Sequence, residues 1–392
     1  MRLLIIGASA RAAAASARRA GFTVTAIDRF GDADLAALAE VVPWRGSDLA
    51  AALRCSPGVS WMYVGGIENR PALVRRLAAR HPLWGVDAAA LRRVRDPLVV
   101  QAAWRLAGLP FPETRSAATP PTAQLSTSAG GWLLKQGRSA GGLGVRRFEA
   151  HATTRTAPAA ATRRAYFQRY VAGETWGATF LADGRSAVLL GVARQMFADP
   201  PDARLPFLYG GSIGPLPIAA DELRSLEAIG RLAAGEFRLR GLFGVDVLRD
   251  RQGTLWTLEI NPRYPASVEV LERARGFSAV ALHAAVCGDA ARDAASVAPP
   301  PRTEVPPRRY VGKGVLYAGV ARTIGARLAA RWLEAAQRSS ATIADVPRAG
   351  ARVEAGMPVC TVFAEGASLV EVERGLRAEQ DRIDDEFRRL PE

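Results

Sequence analysis

The stretch TLEINPR, residues 257–263, decides how this chain is interpreted, together with GVDV at residues 244–247. Both lie in apolar segments, 242–249 and 254–260, that have the length and composition of β-strands. The polar sequence DRQG, residues 250–253, separates the two segments and is typical of a tight turn. We therefore predict a β-hairpin whose midpoint lies between the second and third residues of that turn.

This hairpin gathers oxygen-bearing side chains on one face. Side chains alternate along a strand, so Glu259 and Asn261 share the face of Thr257. The predicted midpoint places Asp246 opposite Thr257, which makes Glu259 a diagonal neighbour of Asp246, roughly 7–8 Å away between backbones. Two carboxylates so close repel each other unless a cation lies between them. Oxygen ligands suit Mg²⁺ or Mn²⁺, so we predict a metal site; the alternative is a solvated hairpin edge.

Arginines follow or flank these strands and are candidate catalytic residues. Arg263 comes directly after Asn261-Pro262 and is the best candidate to neutralise charge that develops on a phosphoryl group. Arg194, at the end of a predicted strand over 187–192, is a second candidate.

A lysine and a glycine cluster form a second candidate site. Lys135 lies on a predicted strand over 132–136, and it is one of only two lysines, beside Lys313, among the 52 basic residues of the chain. Glycines follow it at Gly141, Gly142 and Gly144, where backbone N–H groups could approach a phosphate closely. No Walker A sequence is present. Alone, the glycines are more typical of a hairpin loop; beside the rare lysine and the downstream carboxylates, they favour phosphate binding.

The segment FQRYVAGE, residues 167–174, supplies a third candidate. A strand that ends in an acid could offer backbone groups to an adenine edge, and Glu174 could bind ribose hydroxyls. The default interpretation of Glu174 alone is a surface acid after a turn.

Composition excludes several classes of protein. The chain has 392 residues, 49% hydrophobic and 23% charged, which is typical of a globular protein long enough for two or three domains. No apolar run reaches the roughly 18 residues that a membrane span needs. Three cysteines lie far apart, at Cys55, Cys287 and Cys360, which argues against disulfides or structural zinc and fits a cytoplasmic protein.

The net charge of +14 has two interpretations. The first has no functional meaning: nearly every basic residue is arginine, and such a preference for arginine over lysine usually reflects the codon usage of a GC-rich genome. The functional one is an anionic partner. Basic residues are spread along the chain without interleaved aromatics, which weakens a nucleic-acid role.

Prolines and changes in composition divide the chain into three parts. Residues 1–110 alternate strand and helix signals, which predicts a parallel sheet, and the turn after the first strand lacks GxGxxG. Residues 111–295 carry the candidate sites, and a mobile lid is expected between about 113 and 170. Residues 296–392 begin with a proline-rich linker and continue as a β-rich region with a charged final helix.

In their order, residues 132–145, 167–174, 244–247 and 257–263 resemble the successive nucleotide-site segments of the ATP-grasp superfamily. Segment 345–365 is similar to the closing β-rich region of biotin-carboxylase-like members. The overall pattern most resembles the predicted ATP-dependent carboligases associated with methanopterin-linked one-carbon metabolism. The resemblance implies an α/β (α+β ATP-grasp) fold with an N-terminal pre-ATP-grasp parallel sheet, a central ATP-grasp domain with a lid, and a small β-rich C-terminal region.

The resemblance also implies roles for individual residues. Lys135 would contact the phosphates of ATP, and the glycines after it would form the phosphate loop. The adenine hinge would be Gln168, Arg169, Tyr170 and Val171, and Glu174 would bind the ribose. Asp246, Glu259 and Asn261 would hold magnesium. Arg263 would meet the transferring phosphate or the acyl substrate.

Two positions depart from the family pattern. Many members carry an upstream ATP-site lysine, where the nearest cation here is Arg95, and the hinge often reads Gln-Glu where this chain has Gln168-Arg169. No Met-Lys dipeptide exists, so a typical biotin attachment site is absent.

The resemblance implies an ATP-dependent carboxylate–amine ligase that forms an acyl phosphate, with small-molecule substrates and with a homodimer left open. A C1-carrier cofactor of the methanopterin or methanofuran type, with glutamate as a candidate partner, is the narrower expectation. The alternatives are a biotin-carboxylase-like carboxylase, a non-catalytic ATP-binding regulator, and a basic nucleic-acid-binding protein. Two turns, Gly65–Glu68 and Gly210–Ser212, are candidates for the acceptor pocket, and either could be a simple strand-end turn.

Overall fold

The structure is a computed structural model that describes residues 1–44, 58–119, 121, 131–137, 139–148, 165–198, 205–288 and 309–389. The proline-rich linker, Cys55, His151 and much of the expected lid lie outside the described residues.

Three larger sheets organise the described part. Its strands are β1 (Arg2–Gly7), β2 (Thr23–Asp28), β3 (Ala39–Pro43), β4 (Ser60–Tyr63), β5 (Thr114–Ser116), β6 (Trp132–Gln136), β7 (Val145–Phe148), β8 (Ala165–Arg169), β9 (Glu174–Asp183), β10 (Ala187–Phe197), β11 (Tyr209–Gly214), β12 (Arg240–Arg249), β13 (Leu255–Asn261), β14 (Tyr310–Tyr317), β15 (Arg322–Thr323), β16 (Ile343–Ala344), β17 (Arg352–Val353) and β18 (Pro358–Gly366). Its helices are α1 (Arg11–Arg19), α2 (Ala33–Leu38), α3 (Pro71–Ala78), α4 (Ala88–Val94), α5 (Pro97–Leu106), α6 (Ala220–Phe237), α7 (Val268–Arg275), α8 (Ala279–Cys287), α9 (Ala326–Ala336) and α10 (Leu369–Arg388).

The N-terminal part is the parallel sheet that the strand–helix alternation predicts. Its order is β3-β2-β1-β4, and β1 pairs in parallel with both β2 and β4. The apolar run Leu3–Ile6 at its centre is completely buried, as both faces of a parallel sheet are covered by helices. Pro71 begins α3 because its missing N–H costs nothing at the first helical position.

A small antiparallel sheet of order β5-β8-β6-β7 lies within the region expected to form a lid. Strand β6 runs over the residues predicted for it, and the glycine-rich turn joins it to β7. Phe148 and Phe167 contact edge to face, with ring centroids 4.7 Å apart, in the small core of this sheet.

The central sheet has eight strands, in the order β13-β12-β9-β10-β11-β14-β18-β16. Helix α6 packs on β10, and Trp104 of α5 donates a hydrogen bond to Thr257 Oγ1 at 2.9 Å, which ties the N-terminal part to β13. Strands β14, β18 and β16 come from the C-terminal region, so that region extends the central sheet. No helix in the described ranges is long and apolar enough to span a membrane.

The predicted hairpin exists, but its register differs from the expectation. The backbone N–H of Asp250 donates to Thr254 O at 3.0 Å, which closes a three-residue loop over 251–253. Gly253, the last residue of this loop, has φ +83°. A bulge between Asp246 and Val247 shifts the pairing once more. The prediction that Asp246 faces Thr257 is therefore wrong, and Asp246 lies directly opposite Glu259.

The expected turn at Gly210–Ser212 is also wrong, because these residues lie within β11. Gly211 pairs with Met196 of β10 on one side and Gly314 of β14 on the other. A Cβ atom on Gly211, where φ is +148°, would lie 2.0 Å from the carbonyl oxygen of Lys313. Glycine stands here because the neighbouring backbone approaches closely, and the chain does not turn.

Candidate active site

A cavity of about 280 Å³, the main cavity, opens between the small antiparallel sheet and the central sheet. Its walls come from β6, the glycine-rich turn, β8 and strands β9 to β13. The structure brings most of the sequence-predicted site residues to it: Lys135, Gly141, Gly142, Gln168, Arg169, Tyr170, Val171, Asp246, Glu259, Asn261 and Arg263. Segments separated by more than a hundred residues thus converge on one space.

The acidic end of the main cavity is formed by the β12–β13 pair. Asp246 accepts hydrogen bonds from Gln195 Nε2 at 2.7 Å and from Asn261 Nδ2 at 3.0 Å. Burial, and then the charge of Glu259, raise the pKa of Asp246 to about 6. Two facing carboxylates that repel each other in this way, beside an amide, are a donor set that fits a divalent cation with oxygen ligands.

Glu259 has a cationic partner that the sequence did not identify. Arg95, at the end of α4, forms an ion pair with Glu259 and also donates from Nη2 to Asn69 Oδ1 at 3.2 Å. Burial disfavours the charged form of Glu259, but Arg95, followed by Lys135, holds the pKa of this carboxyl below its usual value. Arg95 thus lies at the acidic end of the main cavity, next to the candidate site.

Lys135 lies at the same end of the main cavity, on β6 of the small antiparallel sheet. Its Nζ donates to Gln168 Oε1 at 2.6 Å, and Gln168 Nε2 donates in turn to Thr114 Oγ1 at 3.3 Å. Burial lowers the pKa of Lys135, whereas Glu259 and Asp246 raise it. This chain of hydrogen bonds holds a compact cation toward the two carboxylates across the cavity.

The glycine-rich turn, residues 137–144, forms the wall of the main cavity next to the start of β11. Gly142 has φ +80°, and a Cβ atom there would lie 1.7 Å from the carbonyl oxygen of Phe207. Tyr209 N donates to Gly141 O at 2.9 Å, which docks the turn on the start of β11. Gly144 does not line the cavity; a Cβ atom there would clash with Ser139 at 2.6 Å, so Gly144 permits the tight packing of the turn.

The predicted hinge lies along one wall, but Glu174 does not. Arg169, Tyr170 and Val171 line the main cavity, whereas Glu174 is exposed and accepts a hydrogen bond from Trp176 Nε1 at 2.5 Å. Because side chains alternate along β9, Thr175 is the residue that faces the cavity.

The two candidate catalytic arginines have different positions. Arg263 lines the cavity and donates from Nε to Glu68 Oε1 at 2.9 Å and from Nη2 to Asn261 Oδ1 at 3.3 Å. Arg194 faces away from it and forms an ion pair with Glu373 of α10. Strand alternation on β10 explains the difference, because it turns Gln195, the neighbour of Arg194, toward Asp246.

Sequence reasoning missed Gln195, Thr175 and Phe207, which no motif marks. Glu68 and Gly65 were expected in an acceptor pocket; Glu68 holds Arg263, and a Cβ atom on Gly65 would lie 3.8 Å from the guanidinium of Arg263. Because side chains alternate along a strand, the sequence could have predicted that either Arg194 or Gln195 faces the main cavity. Only the register of β10 in the structure shows that it is Gln195.

Comparisons with known proteins agree with this geometry. Residues 98–267 match the family model described as ATP-grasp domain. A search of curated proteins found no match.

Solved structures match over nearly the whole chain. N5-carboxyaminoimidazole ribonucleotide synthetase from Thermus thermophilus is 20% identical, with 100% of both chains covered and a TM-score of 0.69. Carboxyaminoimidazole ribonucleotide synthase from Aspergillus clavatus, complexed with ATP, is 16% identical, with 98% of both chains covered and a TM-score of 0.72. The biotin carboxylase domain of Hydrogenobacter thermophilus 2-oxoglutarate carboxylase, a dimer with MgADP, ADP and bicarbonate, is 14% identical, with 95% of this chain and 88% of that chain covered and a TM-score of 0.68. The chain shares their fold, which confirms the predicted fold class.

Proposed function

We propose that this chain, which carries an ATP-grasp domain over residues 98–267, is an ATP-dependent carboxylate–amine ligase. The observation that carries the proposal is the convergence of Lys135, Asp246, Glu259 and Arg263 on one cavity under a glycine-rich turn. ATP would lie in the main cavity, with its adenine along Arg169–Val171 and its phosphates toward the acidic end. Asp246, Glu259 and Asn261 would hold Mg²⁺ or Mn²⁺, which supplies positive charge to the phosphate oxygens when bound.

The reaction fits what these residues can do. A substrate carboxylate oxygen attacks the γ-phosphorus of ATP, the bond to the bridging oxygen breaks, and ADP leaves with that electron pair. An amine then attacks the carbonyl carbon of the acyl phosphate, phosphate leaves, and the amine loses a proton. Lys135 and Arg263 would stabilise the charge on the transferring group, and positioning supplies the rest, since well-oriented reactants can be worth about 7–11 kcal/mol. The glycine-rich turn would keep water from the acyl phosphate.

One experiment tests the proposal without knowing either substrate. The full chain is incubated with ATP, Mg²⁺, hydroxylamine and a panel of carboxylic acids, and ADP and hydroxamate are measured. Acid-dependent ADP release with matching hydroxamate supports a ligase, because hydroxylamine traps acyl phosphates. Nucleotide binding without ADP release for any acid or for bicarbonate would contradict the ligase and indicate a regulator.

A biotin-carboxylase-like activity is the second candidate. It is favoured by the similarity to the Hydrogenobacter thermophilus biotin carboxylase domain, whose structure holds MgADP and bicarbonate. In the same assay, ADP release that depends on bicarbonate and on no other acid would support this candidate.

Three narrower proposals rest on the sequence, the first and third on the family resemblance and the second on the widely spaced cysteines. The acid would belong to a C1-carrier cofactor of the methanopterin or methanofuran type, with glutamate as its partner; the protein would be cytoplasmic; and it would form a homodimer. Adding such acids to the panel, with glutamate in place of hydroxylamine, tests the first. Fractionation of cells and light scattering of the purified chain test the others.

A further inference from the structure

A second cavity, of about 300 Å³, lies beside the main cavity, between the N-terminal sheet and strands β14 and β18. The two cavities share Tyr209, Arg263 and Ala266 as part of their walls. A molecule in the second cavity would therefore meet the end of the main cavity where Arg263 and the two carboxylates lie. This position is where a co-substrate must reach a phosphorylated acid.

Most charged groups of the second cavity already have opposite partners. Lys313 Nζ lies 2.7 Å from Glu269 Oε2. Arg263 is paired with Glu68. Asp345 Oδ1 accepts from Arg11 Nε at 3.0 Å. Lys313 and Arg263, the two cations that line the second cavity in the described part of the chain, are thus not free to attract an anion into it.

The helix end that faces the second cavity also has its own carboxylate. Asp28 accepts hydrogen bonds from the backbone N–H groups of Ala10, Phe30 and Gly31 at 2.6, 2.8 and 2.6 Å. Ala10 is the residue that precedes α1, so the positive end of this helix is compensated within the protein.

Asp32 is the exception among these groups. It lines the second cavity and is only 7% exposed, yet its side chain makes no capping hydrogen bond to α2, and no described residue donates a hydrogen bond to its carboxyl group. Its neighbours Asp28, Asp34 and Asp345 are acids, and burial, followed by their charges, raises the pKa of Asp32 to about 9, against the opposing effect of Arg11. A buried carboxyl without a partner is costly, so a hydrogen-bond donor of positive charge would be favoured at this place.

A metal ion does not fit this cluster. Asp34 accepts hydrogen bonds from the backbone N–H groups of Asp345 and Val346, both at 2.9 Å, so each of its oxygens already has a donor within the protein. Within the described ranges, no group of three or more His, Cys, Asp or Glu side chains is arranged to hold a metal ion. The remaining wall is largely apolar, with Val315, Tyr317 and Val359. These features favour an organic cation with a carbon skeleton.

We propose that the second cavity binds the amine co-substrate as an ammonium ion, and that Asp32 receives this ammonium group. The inference rests on the proposed ligase function, and it names the class of the nucleophile as a primary amine. It also runs against the net charge of +14, which alone would favour an anionic partner.

Binding of paired amines tests this assignment directly. The full chain, with Mg²⁺ and ADP, is titrated by calorimetry with ethanolamine, putrescine and a set of amino acids, each compared with its N-acetyl counterpart. At least one free amine should bind the wild type and its N-acetyl counterpart should not. Asp32→Asn should weaken that binding by about tenfold or more, since a hydrogen bond to a charged group is lost. Asp385→Asn, a substitution on the exposed face of α10, should leave it unchanged.

Two further measurements make the outcomes decisive. Asp32→Asn should unfold at a temperature equal to or above that of the wild type at pH 8 without an amine, because a pKa of about 9 means that the carboxyl must take up a proton when the chain folds, and the neutral amide removes this cost. The surface variant Asp385→Asn should keep the ADP affinity and the hydroxamate yield of the wild type. The inference would be overturned if amines and their N-acetyl counterparts bound equally well, or if the wild type and Asp32→Asn bound amines with equal affinity. A positive hydroxamate assay would still support the ligase function in that case. Failure of the hydroxamate assay would instead remove the ligase.

Discussion

Asp246 and Glu259 lie directly opposite each other on neighbouring strands, at the point where a bulge shifts the register. The bulge changes an expected diagonal relationship into a facing one and brings both carboxyls into the main cavity. Burial raises the pKa of Asp246 and the facing charge of Glu259 raises it further, whereas Arg95 keeps the pKa of Glu259 below its usual value. The protein holds two partly buried acids face to face, and the positive charges of Arg95, Lys135 and Arg263 lower the pKa of Glu259.

Asp246→Asn should abolish turnover and weaken the dependence of nucleotide binding on Mg²⁺. The substitution keeps the size of the side chain and its contact with Gln195 but removes one of the two repelling charges. We expect ADP affinity in the presence of Mg²⁺ to fall by about tenfold or more, while affinity without metal stays equal or rises. Fluorescence titration of a labelled ADP, with and without Mg²⁺, measures both. Asp385→Asn serves as the surface control, and full activity of Asp246→Asn would contradict the metal assignment.

Lys135→Met should weaken nucleotide binding without unfolding the protein. Methionine has a similar length and fills the buried space of the aliphatic chain, but it cannot donate to Gln168 or face the carboxylates. We expect a loss of about 10- to 100-fold in ADP affinity. The unfolding temperature checks the fold. An unchanged dissociation constant for ADP would show that the lysine serves only the packing of the small antiparallel sheet.

The glycine-rich turn offers a matched pair of substitutions. Gly141 and Gly142 both have positive φ, +62° and +80°, so alanine costs each a similar backbone strain, about 1 kcal/mol. Only Gly142→Ala would also clash with the carbonyl of Phe207. We expect Gly142→Ala to displace the turn and lower nucleotide affinity well below that of Gly141→Ala. Equal affinities of the two variants would mean that closure against Phe207 does not matter.

His283 should make the protein sensitive to acid. Its Nδ1 accepts from Leu242 N at 2.8 Å, and burial lowers its pKa to about 4. The unfolded chain, with a histidine pKa near 6.5, therefore binds more protons between these values, and stability falls as pH drops below about 6.5. The loss at pH 4.5 is about 2–3 kcal/mol. Denaturant unfolding at pH 7 and 4.5 should show a smaller difference for His283→Gln than for the wild type.

Much of the fold follows from local sequence. The strand–helix alternation of residues 1–110, the strand over 132–136 and the hairpin formed by segments 242–249 and 254–260 carry their own signals, and the structure has all three. Lys135 and Asp246 could be singled out because each stands in a distinctive local pattern.

The rest depends on contacts between distant segments. The register of Asp246 depends on a bulge, and the choice between Arg194 and Gln195 depends on which face of β10 is covered. The partner of Arg95 and the isolation of Asp32 are tertiary facts, because each is defined by residues far along the chain. Glu174 was expected at the ribose because its sequence position is suggestive, but strand alternation turns Thr175 toward the cavity.

The pairing of β11 with β14 has a consequence for how this protein could be shortened. Strand β14 covers what would otherwise be the open border of β11, from Gly211 to Gly214, and Lys313 on β14 helps to wall the second cavity. Removing everything after α8 would leave β11 as an exposed edge strand. Its unpaired backbone groups could then pair with a strand of another molecule, which leads to self-association. The last eighty or so described residues are therefore a structural closure of the catalytic body, and a minimal fragment built from the ATP-grasp segment alone should aggregate.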